Sequence, residues 1–464
     1  MNGATLPPPA TKVPAESAAK KWQVGTLTYT LGGLVVLFSW LLWGDFAWSM
    51  KDRSVATVFQ LLLKKFEASD MIAGLLIGTL PGAIAMFLGP IISWKSDRHR
   101  GRWGRRIPYL MVTTPFAVVS MIGLAFSPEL GAWLHRLAGS STLGLNISIL
   151  IFLGLFWAIF EFAAITANAV FGGLINDVVP QAVMGRFYGM FRAFSLVAGM
   201  IFNFWLMGKA ESYYVAIFVG IALLYGLGFT AMCLKVKEGD YPPPPDIPEE
   251  TGSGFFRNAV TYFKESFGIP YYLWFFGLMT LSYMAFSSVN LFSVFFAQSL
   301  GMSTGTLGWC LGITYCISLL LAYPLGCLVD RWHPLTLSLL TQCLYAVITL
   351  YGGFFATSVE TFMPVLIAHG VVSGTWMTVS ASLGQRLLPR SKFAQYGSAL
   401  GLVVCVGGMI IGPLLGALLD YSDHVYRYTY LAGFGFTVAA LITGFVLYRK
   451  FYALGGPSAY TAPE

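Results

Sequence analysis

Charge is what this chain has least of. Asp, Glu, Lys and Arg make up 11% of its 464 residues, against 56% hydrophobic residues, with a mean hydropathy of +0.69. Soluble domains average about a quarter charged and roughly 45–50% apolar residues. The deficit excludes an ordinary soluble chain and places this one in a bilayer. Cysteine is scarce too: Cys233, Cys310, Cys316, Cys327, Cys343 and Cys405. They lie in or beside apolar runs, with no CxxC pair and no His at zinc spacing, so they read as small core residues, not disulfides or metal ligands. No GxxxxGK[ST], HExxH or nucleophile elbow occurs, and GMSTGTLG near residue 301 lacks the lysine of a phosphate loop. ATP hydrolysis, enzyme catalysis and an organic or metal cofactor are therefore not expected. The N-terminus has no basic region leading into an apolar run, so no cleavable signal peptide is expected.

What is present is a series of long apolar runs. A spanning helix needs roughly 20 mainly apolar residues. Spans fall near 29–62, 70–94, 107–127, 144–175, 184–207, 213–234, 270–298, 304–329, 335–356, 362–385, 393–419 and 427–449. The fold class is an all-α membrane protein of 12 transmembrane helices. The segment KVKEGDYPPPPDIPEETGSG is a semi-rigid linker. It divides a disordered tail (1–25) and a six-helix half (26–235) from a linker (236–268), a second six-helix half (269–450) and a short tail (451–464). The halves echo each other: Asp97-Arg98 ends the second span and Asp330-Arg331 the eighth. Two repeated halves are pseudo-symmetric. With both termini on one side, that side collects 20 Lys and Arg against 5 on the other. This predicts cytoplasmic termini in the plasma membrane. The net charge of +7 then belongs to basic loops, and nucleic-acid binding is not expected.

The densest basic stretch is WKSDRHRGRWGRRIPY, residues 94–109, with six Lys or Arg between Lys95 and Arg106. Carboxylates beside guanidiniums at facing helix ends make charge-assisted hydrogen bonds. Asp97, Arg98, Gly104, Arg105 and Arg106 are predicted to form a cytoplasmic gate with Asp177, Arg186, Asp330 and Arg331. This loop resembles that between helices 2 and 3 of major facilitator superfamily transporters. The form SDR followed by RWGRRIPY is similar to the sucrose/proton symporters and the glycoside-pentoside-hexuronide cation symporters. The resemblance implies the major facilitator fold, alternating access, a sugar or glycoside as substrate, and a proton as driver.

Six charges remain inside spans, where they are expensive and mark ion or substrate pathways: Asp45, Lys51, Asp52, Arg53, Glu161 and Arg192. Lys51-Asp52-Arg53 either continue the first helix through VATVFQLLLKKF or follow a shorter span, in an outside loop. GDFAWSM and VFQLL resemble the first helix of the sucrose carriers, which argues for the deep position; the charges at 51–53 depart from that pattern and leave an acidic sugar open. Asp45 and Asp52 share a helix face about 10 Å apart, with Trp48 between them. Glu161 is sixteen residues before Asp177, the separation of two acids on the fourth helix of the sucrose symporters, so the resemblance puts the coupling acid on Glu161. Burial and a nearby base act in opposite directions on a carboxyl's proton affinity, which suits loading and release. The alternative is a structural Glu161–Arg192 pair. Coupling is thus assigned to Glu161, Asp45 and Asp52, and substrate binding to Trp48, Lys51, Arg53, Asn168, Arg192, Asn203, Asn290 and Trp376. Tyr283 and Gln298 are weaker candidates, and His369 reads as a hydrogen-bonded packing residue.

The expected function is a secondary active transporter, acting as a monomer in the lipid bilayer, moving a disaccharide-like sugar with protons. Sodium-coupled glycoside or hexuronide uptake, export of another polar solute, and a non-transporting sensor are the alternatives.

Overall fold

The computed structural model describes residues 21–138, 143–241, 253–389 and 392–463. Thr30 accepts from Gly33 N and starts α1 (Leu31–Lys65), a single helix of 35 residues. At 1.5 Å per residue it is about 52 Å long, well beyond the ~30 Å hydrocarbon core. Lys51, Asp52 and Arg53 therefore lie inside a continuous helix, and the loop alternative falls.

Ser69 caps α2 (Asp70–Gly74). A π-turn over Leu75–Thr79 joins it to α3 (Leu80–Arg98) in one span. Pro108, in the first turn of α4 (Ile107–Ala125), starts the third span where its missing N–H costs nothing. The fourth span is α6 (Leu145–Val178). The fifth and sixth, α7 (Gln181–Ile201) and α8 (Ala210–Lys235), run on through a second π-turn, Phe202–Leu206, and a 3₁₀ turn. The second half comprises α10 (Pro270–Asn290) with α11 (Ser293–Ser299), α12 (Thr304–Arg331), α13 (Pro334–Phe355), α14 (Val359–Ser380) with α15 (Leu383–Leu387), α16 (Phe393–Tyr421) and α17 (Tyr428–Ala453). Among the described residues, eleven continuous helical stretches are long and apolar enough to cross a membrane, and the 55-residue stretch Gln181–Lys235 holds two spans. Twelve crossings in two halves result.

Several segments differ from the sequence expectation. Within the tail assigned to 1–25, β1 (Trp22–Val24) already pairs antiparallel with β2 (Leu27–Tyr29); residues 1–20 lie outside the described residues. Helix α5 (Ser127–Ala138) fills what read as a loop. The linker ends in α9 (Ser253–Phe267), while its proline run lies outside the described residues. The tail at 451–464 packs back: α18 (Gly456–Ala459) follows α17, and Tyr460 donates to Leu387 O at 2.7 Å.

The halves meet through small residues on the face opposite the basic loops. A Cβ added at Gly412 would stand 2.4 Å from Gly74 O, one at Gly416 2.3 Å from Asp70 O, and one at Gly308 2.3 Å from Asn203 O. Backbones this close are how membrane helices gain packing energy without a hydrophobic driving force. Polar bonds reinforce the seal. Asp420 accepts from the N–H groups of Asp70 (2.8 Å) and Met71 (2.9 Å), and the Asp70 carboxylate holds His424 (2.6 Å) and Tyr426 (2.8 Å). Lys64 donates to Tyr426 at 2.9 Å. On the basic face, no hydrogen bond or ion pair joins the halves among the described residues. Among the described residues, the seam is sealed by these bonds on the face opposite the basic loops.

Candidate functional site

The basic loop folds into a single network inside the first half. Arg105 grips Asp177 with two bonds, Nη2 to Oδ1 at 2.5 Å and Nε to Oδ2 at 2.8 Å. Arg106 donates to Asp177 Oδ2 (3.2 Å), Ser96 Oγ (2.6 Å) and Asp97 Oδ1. This ties the ends of the second and fourth spans to the start of the third. Two residues that sequence reasoning missed complete it. Glu238, just past α8, accepts the backbone N–H groups of Arg105 (2.9 Å), Arg106 (2.8 Å) and Ile107 (2.7 Å). These are the orphan donors of a helix N-terminus, met by a charge that also suits the helix dipole. Tyr241 donates to Glu238 at 2.8 Å and lies under the Arg105 guanidinium, 4.1 Å from its ring centre. Burial, then Glu238, push the Tyr241 hydroxyl's pKa up; the Asp177 bonds do the same for Arg105. Gly104 adopts φ +94°, and a Cβ there would meet the Glu238 carboxyl carbon at 2.5 Å, so the turn requires glycine.

Of the predicted gate, Asp97, Gly104, Arg105, Arg106 and Asp177 come together. Arg98 instead stacks on Trp94, 4.3 Å from its ring centre. Arg186 and Arg331 are exposed and form no ion pair among the described residues. The Asp330 side chain lies outside the described residues. The network has no described partner in the second half, so in this conformer it braces one half and does not clasp two.

The six charges within spans lie along α1 and the two helices facing it. None forms an ion pair within 4.0 Å among the described residues. The anticipated Glu161–Arg192 pair is absent. Glu161 interacts electrostatically with Lys51 and Asp52, and Arg192 with Arg53 and the Tyr315 phenol. Lys51 is fully buried, its Nζ lacks a hydrogen-bond partner, and it sits 3.8 Å from the Trp48 ring centre with Phe160 and Tyr225 behind. Asp45 is also buried; Ser49 donates to its Oδ1 at 3.4 Å, and its Oδ2 has no partner. Arg53 reaches across the seam and donates to Tyr315 on α12 at 3.0 Å.

The substrate-binding residues expected from sequence divide in two. Arg192, Asn168, Asn290 and the coupling candidate Asp52 are exposed, and Glu161 and Arg53 partly so. Trp48 packs with Phe171, Tyr225 and Phe229 in the first half's aromatic core. Asn203 is buried and donates to Gly199 O of its own helix at 2.8 Å. Trp376 is buried against Phe286. Asn203 and Trp376, with caged Lys51, are thus buried in helix packing, and Trp48 is half-buried. In the second half His369 is buried and bonded through both ring nitrogens, to Tyr345 and Asn290, each at 2.9 Å. Asn290 Oδ1 can only accept, so Nε2 carries the proton and Nδ1 accepts from Tyr345. Gln298 donates to Glu211 at 3.2 Å and Tyr283 lies over Gly408. Among the described residues Asp70, Asp420 and His424 bring metal-ligating atoms within 4.8 Å of one another, but these atoms are taken up by the bonds that close the seam.

Comparison with known proteins places this architecture. The model of the Major Facilitator Superfamily matches residues 41–409 and 275–458. MFS transporter asaE of Aspergillus flavus is 24% identical over 229 residues, 48% of this chain and 49% of that protein. The chain thus spans about half the length of the curated relative it matches. A bacterial homolog of the human lysosomal transporter Spinster, inward-facing and unoccupied, superposes with a TM-score of 0.61 at 14% identity, covering 93% of this chain and 98% of that one. A D-xylose-proton symporter gives 0.61 at 14% identity over 90% and 96%. The nucleoside transporter NupG gives 0.62 at 11% identity over 89% and 98%. These likenesses establish the fold alone. Matched by the family model over most of its length and built as two six-helix halves, the chain belongs to the Major Facilitator Superfamily.

Proposed function

We propose that the chain is a secondary active transporter that moves a sugar or glycoside by alternating access, coupled to protons through Glu161. The observation that carries this reading is the set of three acids and three bases inside the first half, none of them locked in a contact ion pair among the described residues. Such charges are costly in a membrane interior and are retained where they handle an ion or solute. The one-sided seal adds to it: a central seam closed by glycine crossings on one face is one of the two end states that rocking halves require. The excess of basic residues supports placing the other face in the cytoplasm, with both termini inside and the chain in a plasma membrane; on this reading the conformer faces inward. One chain contains both halves and works as a monomer. The sugar assignment rests on the likeness of residues 94–109 and of α1 to sucrose/proton and glycoside-pentoside-hexuronide symporters. The fold does not choose the solute, since the solved relatives include a xylose symporter and a nucleoside transporter.

Glu161 stands partly open beside Lys51 and Asp52 without touching a base. A proton there changes the local balance of charge, and it biases the two conformers only by its difference in affinity between them. Asp45 and Asp52 assist. Sodium coupling is the second reading, favoured by the unpartnered Asp45 Oδ2, a hard oxygen ligand. The test is uptake by proteoliposomes of labelled disaccharides, monosaccharides and uronic acids, under an imposed proton gradient, a sodium gradient or neither. Wild type is expected to accumulate sugar only with the proton gradient, and Glu161→Gln to retain exchange without accumulation. Accumulation that followed sodium alone, or persisted in Glu161→Gln, would remove the proton role. If no sugar moved, the sugar assignment would fall.

A further inference from the structure

The sealed end of the seam carries a lock built from both halves. Asp70 opens α2 in the first half and is buried, 1% exposed. Its carboxylate accepts from two second-half residues, Oδ2 from His424 Nδ1 at 2.6 Å and Oδ1 from the Tyr426 hydroxyl at 2.8 Å. Asp420, at the end of α16, takes the N–H groups of Asp70 and Met71, and its Oδ1 lies 4.0 Å from His424 Nδ1. Lys64, at the end of α1, donates to the Tyr426 oxygen at 2.9 Å. Burial, then Asp70, push the Tyr426 hydroxyl's pKa up, so this phenol keeps its proton and gives it to Asp70. Asp423 and Arg427 flank the turn and are exposed.

The backbone aims the imidazole. His424 N–H donates to Leu419 O at 2.9 Å, and Tyr426 N–H to His424 O at 2.9 Å. Asp423 and His424 adopt φ of +53° and +61°, a left-handed region that residues other than glycine seldom occupy. The turn returns the His424 ring to the buried Asp70 while 51% of that side chain stays exposed.

The lock is short of one positive charge. Asp70 and Asp420 bring two negative charges, and Lys64 brings one positive charge that reaches them through Tyr426. Histidine is the side chain that gains charge within about pH 5–8. A charged imidazole completes the balance and turns the bond to Asp70 into an ion pair. These bonds between halves exist only while the seam is shut on this face. A proton that strengthens them therefore favours the closed conformer, and its loss as pH rises weakens closure. We propose that His424, with Asp70 and Asp420, is a proton-binding site that governs the outer gate, separate from Glu161. The imidazole remains half-exposed while the gate is shut, so this proton is not carried across; acid outside holds the outer face closed. The inference goes beyond the transport reading and rests on it only for naming this face the outer one.

The test is the distance across this face in the purified full chain in nanodiscs, without solute. It is read by pulsed electron resonance between spin labels at Arg136 and Glu360, with the six native cysteines replaced. Both are exposed and lie in separate halves. Samples are compared at about pH 8 and about pH 5.5, which spans the charging of imidazoles. In the parent the ratio of short to long distances should rise about fivefold on acidification, the upper end for a half-exposed pair. His424→Asn keeps a neutral donor on a residue that tolerates the left-handed backbone, and should show the high-pH ratio at both values. Asp70→Asn removes the charge that the proton answers and should also lose the response. Unfolding midpoints show that both variants fold. A parent distribution that does not change with pH, or an acid response that persists in either variant, would overturn the gate. No solute is present, so failure of sugar uptake or of the Glu161 role would leave the gate standing.

Discussion

Lys51 is a fully buried cation with no hydrogen-bond partner, held against Trp48 at 3.8 Å. A desolvated cation–π contact is worth about 2 kcal/mol, whereas burying a lone ammonium costs several. Desolvation wins, so the residue is not retained for stability. Lys51→Met, similar in shape, should leave the fold neutral to more stable by about 1 kcal/mol, because Glu161 can respond by taking a proton. Gradient-driven accumulation should fall at least tenfold. Thermal unfolding and uptake of the same sample check both halves of this; a marked loss of unfolding midpoint would make Lys51 a structural residue. At this scale the sequence was informative about which charges matter and silent about their partners. Glu161 and Arg192 stood out as isolated charges in apolar runs. That they do not pair, and that Arg53 instead reaches Tyr315 across the seam, depends on helix rotation and packing, which leave no trace in spacing. Tyr315 was invisible among the chain's 23 tyrosines.

Among the elements, α4 depends most on a distant residue. Its first N–H groups end on Glu238, some 130 positions later in the chain. Removing a charged acceptor from buried or half-buried donors costs about 1–3 kcal/mol. Glu238→Ala should therefore destabilise by about that amount and speed hydrogen exchange in the first turn of α4, with little change at the seam. Exchange rates unaltered over residues 105–110 would show that water replaces the carboxylate without loss. The cluster at 94–109 announced this junction, and four of its partners, Asp97, Arg105, Arg106 and Asp177, were legible from charge order. Glu238 and Tyr241 were not, because they sit in what composition marks as a linker. The same weakness hid α5 and α9: both are amphipathic, with too little apolar length to register among spans.

The whole molecule turns on how closely the two halves can approach. Gly74 and Gly412 bring backbone against backbone, with no room for a Cβ on either side. Gly412→Val should prevent that closure and shift the population toward a conformer open on the face opposite the basic loops. Spin labels at Glu67 and Tyr421, one in each half on that face, would report it in a background with the six native cysteines replaced. The distance should widen relative to the parent; an unchanged distance in a folded variant would mean that the crossing does not set the conformer.

The sequence by itself determined that this is a membrane protein of twelve spans in two related halves, and which face carries the basic loops. Those properties follow from one-dimensional quantities: apolar run length, charge position, and the recurrence of Asp-Arg at the ends of the second and eighth spans. Only the tertiary structure decided that Lys51–Arg53 lie within a helix, that Glu161 and Arg192 do not pair, that Trp48, Asn203 and Trp376 turn into helix interfaces, and that the seam is shut on one face. Each of these depends on how helices rotate and lean against one another. Rotation is set by many small packing contacts between residues far apart in the chain, and no local pattern records them.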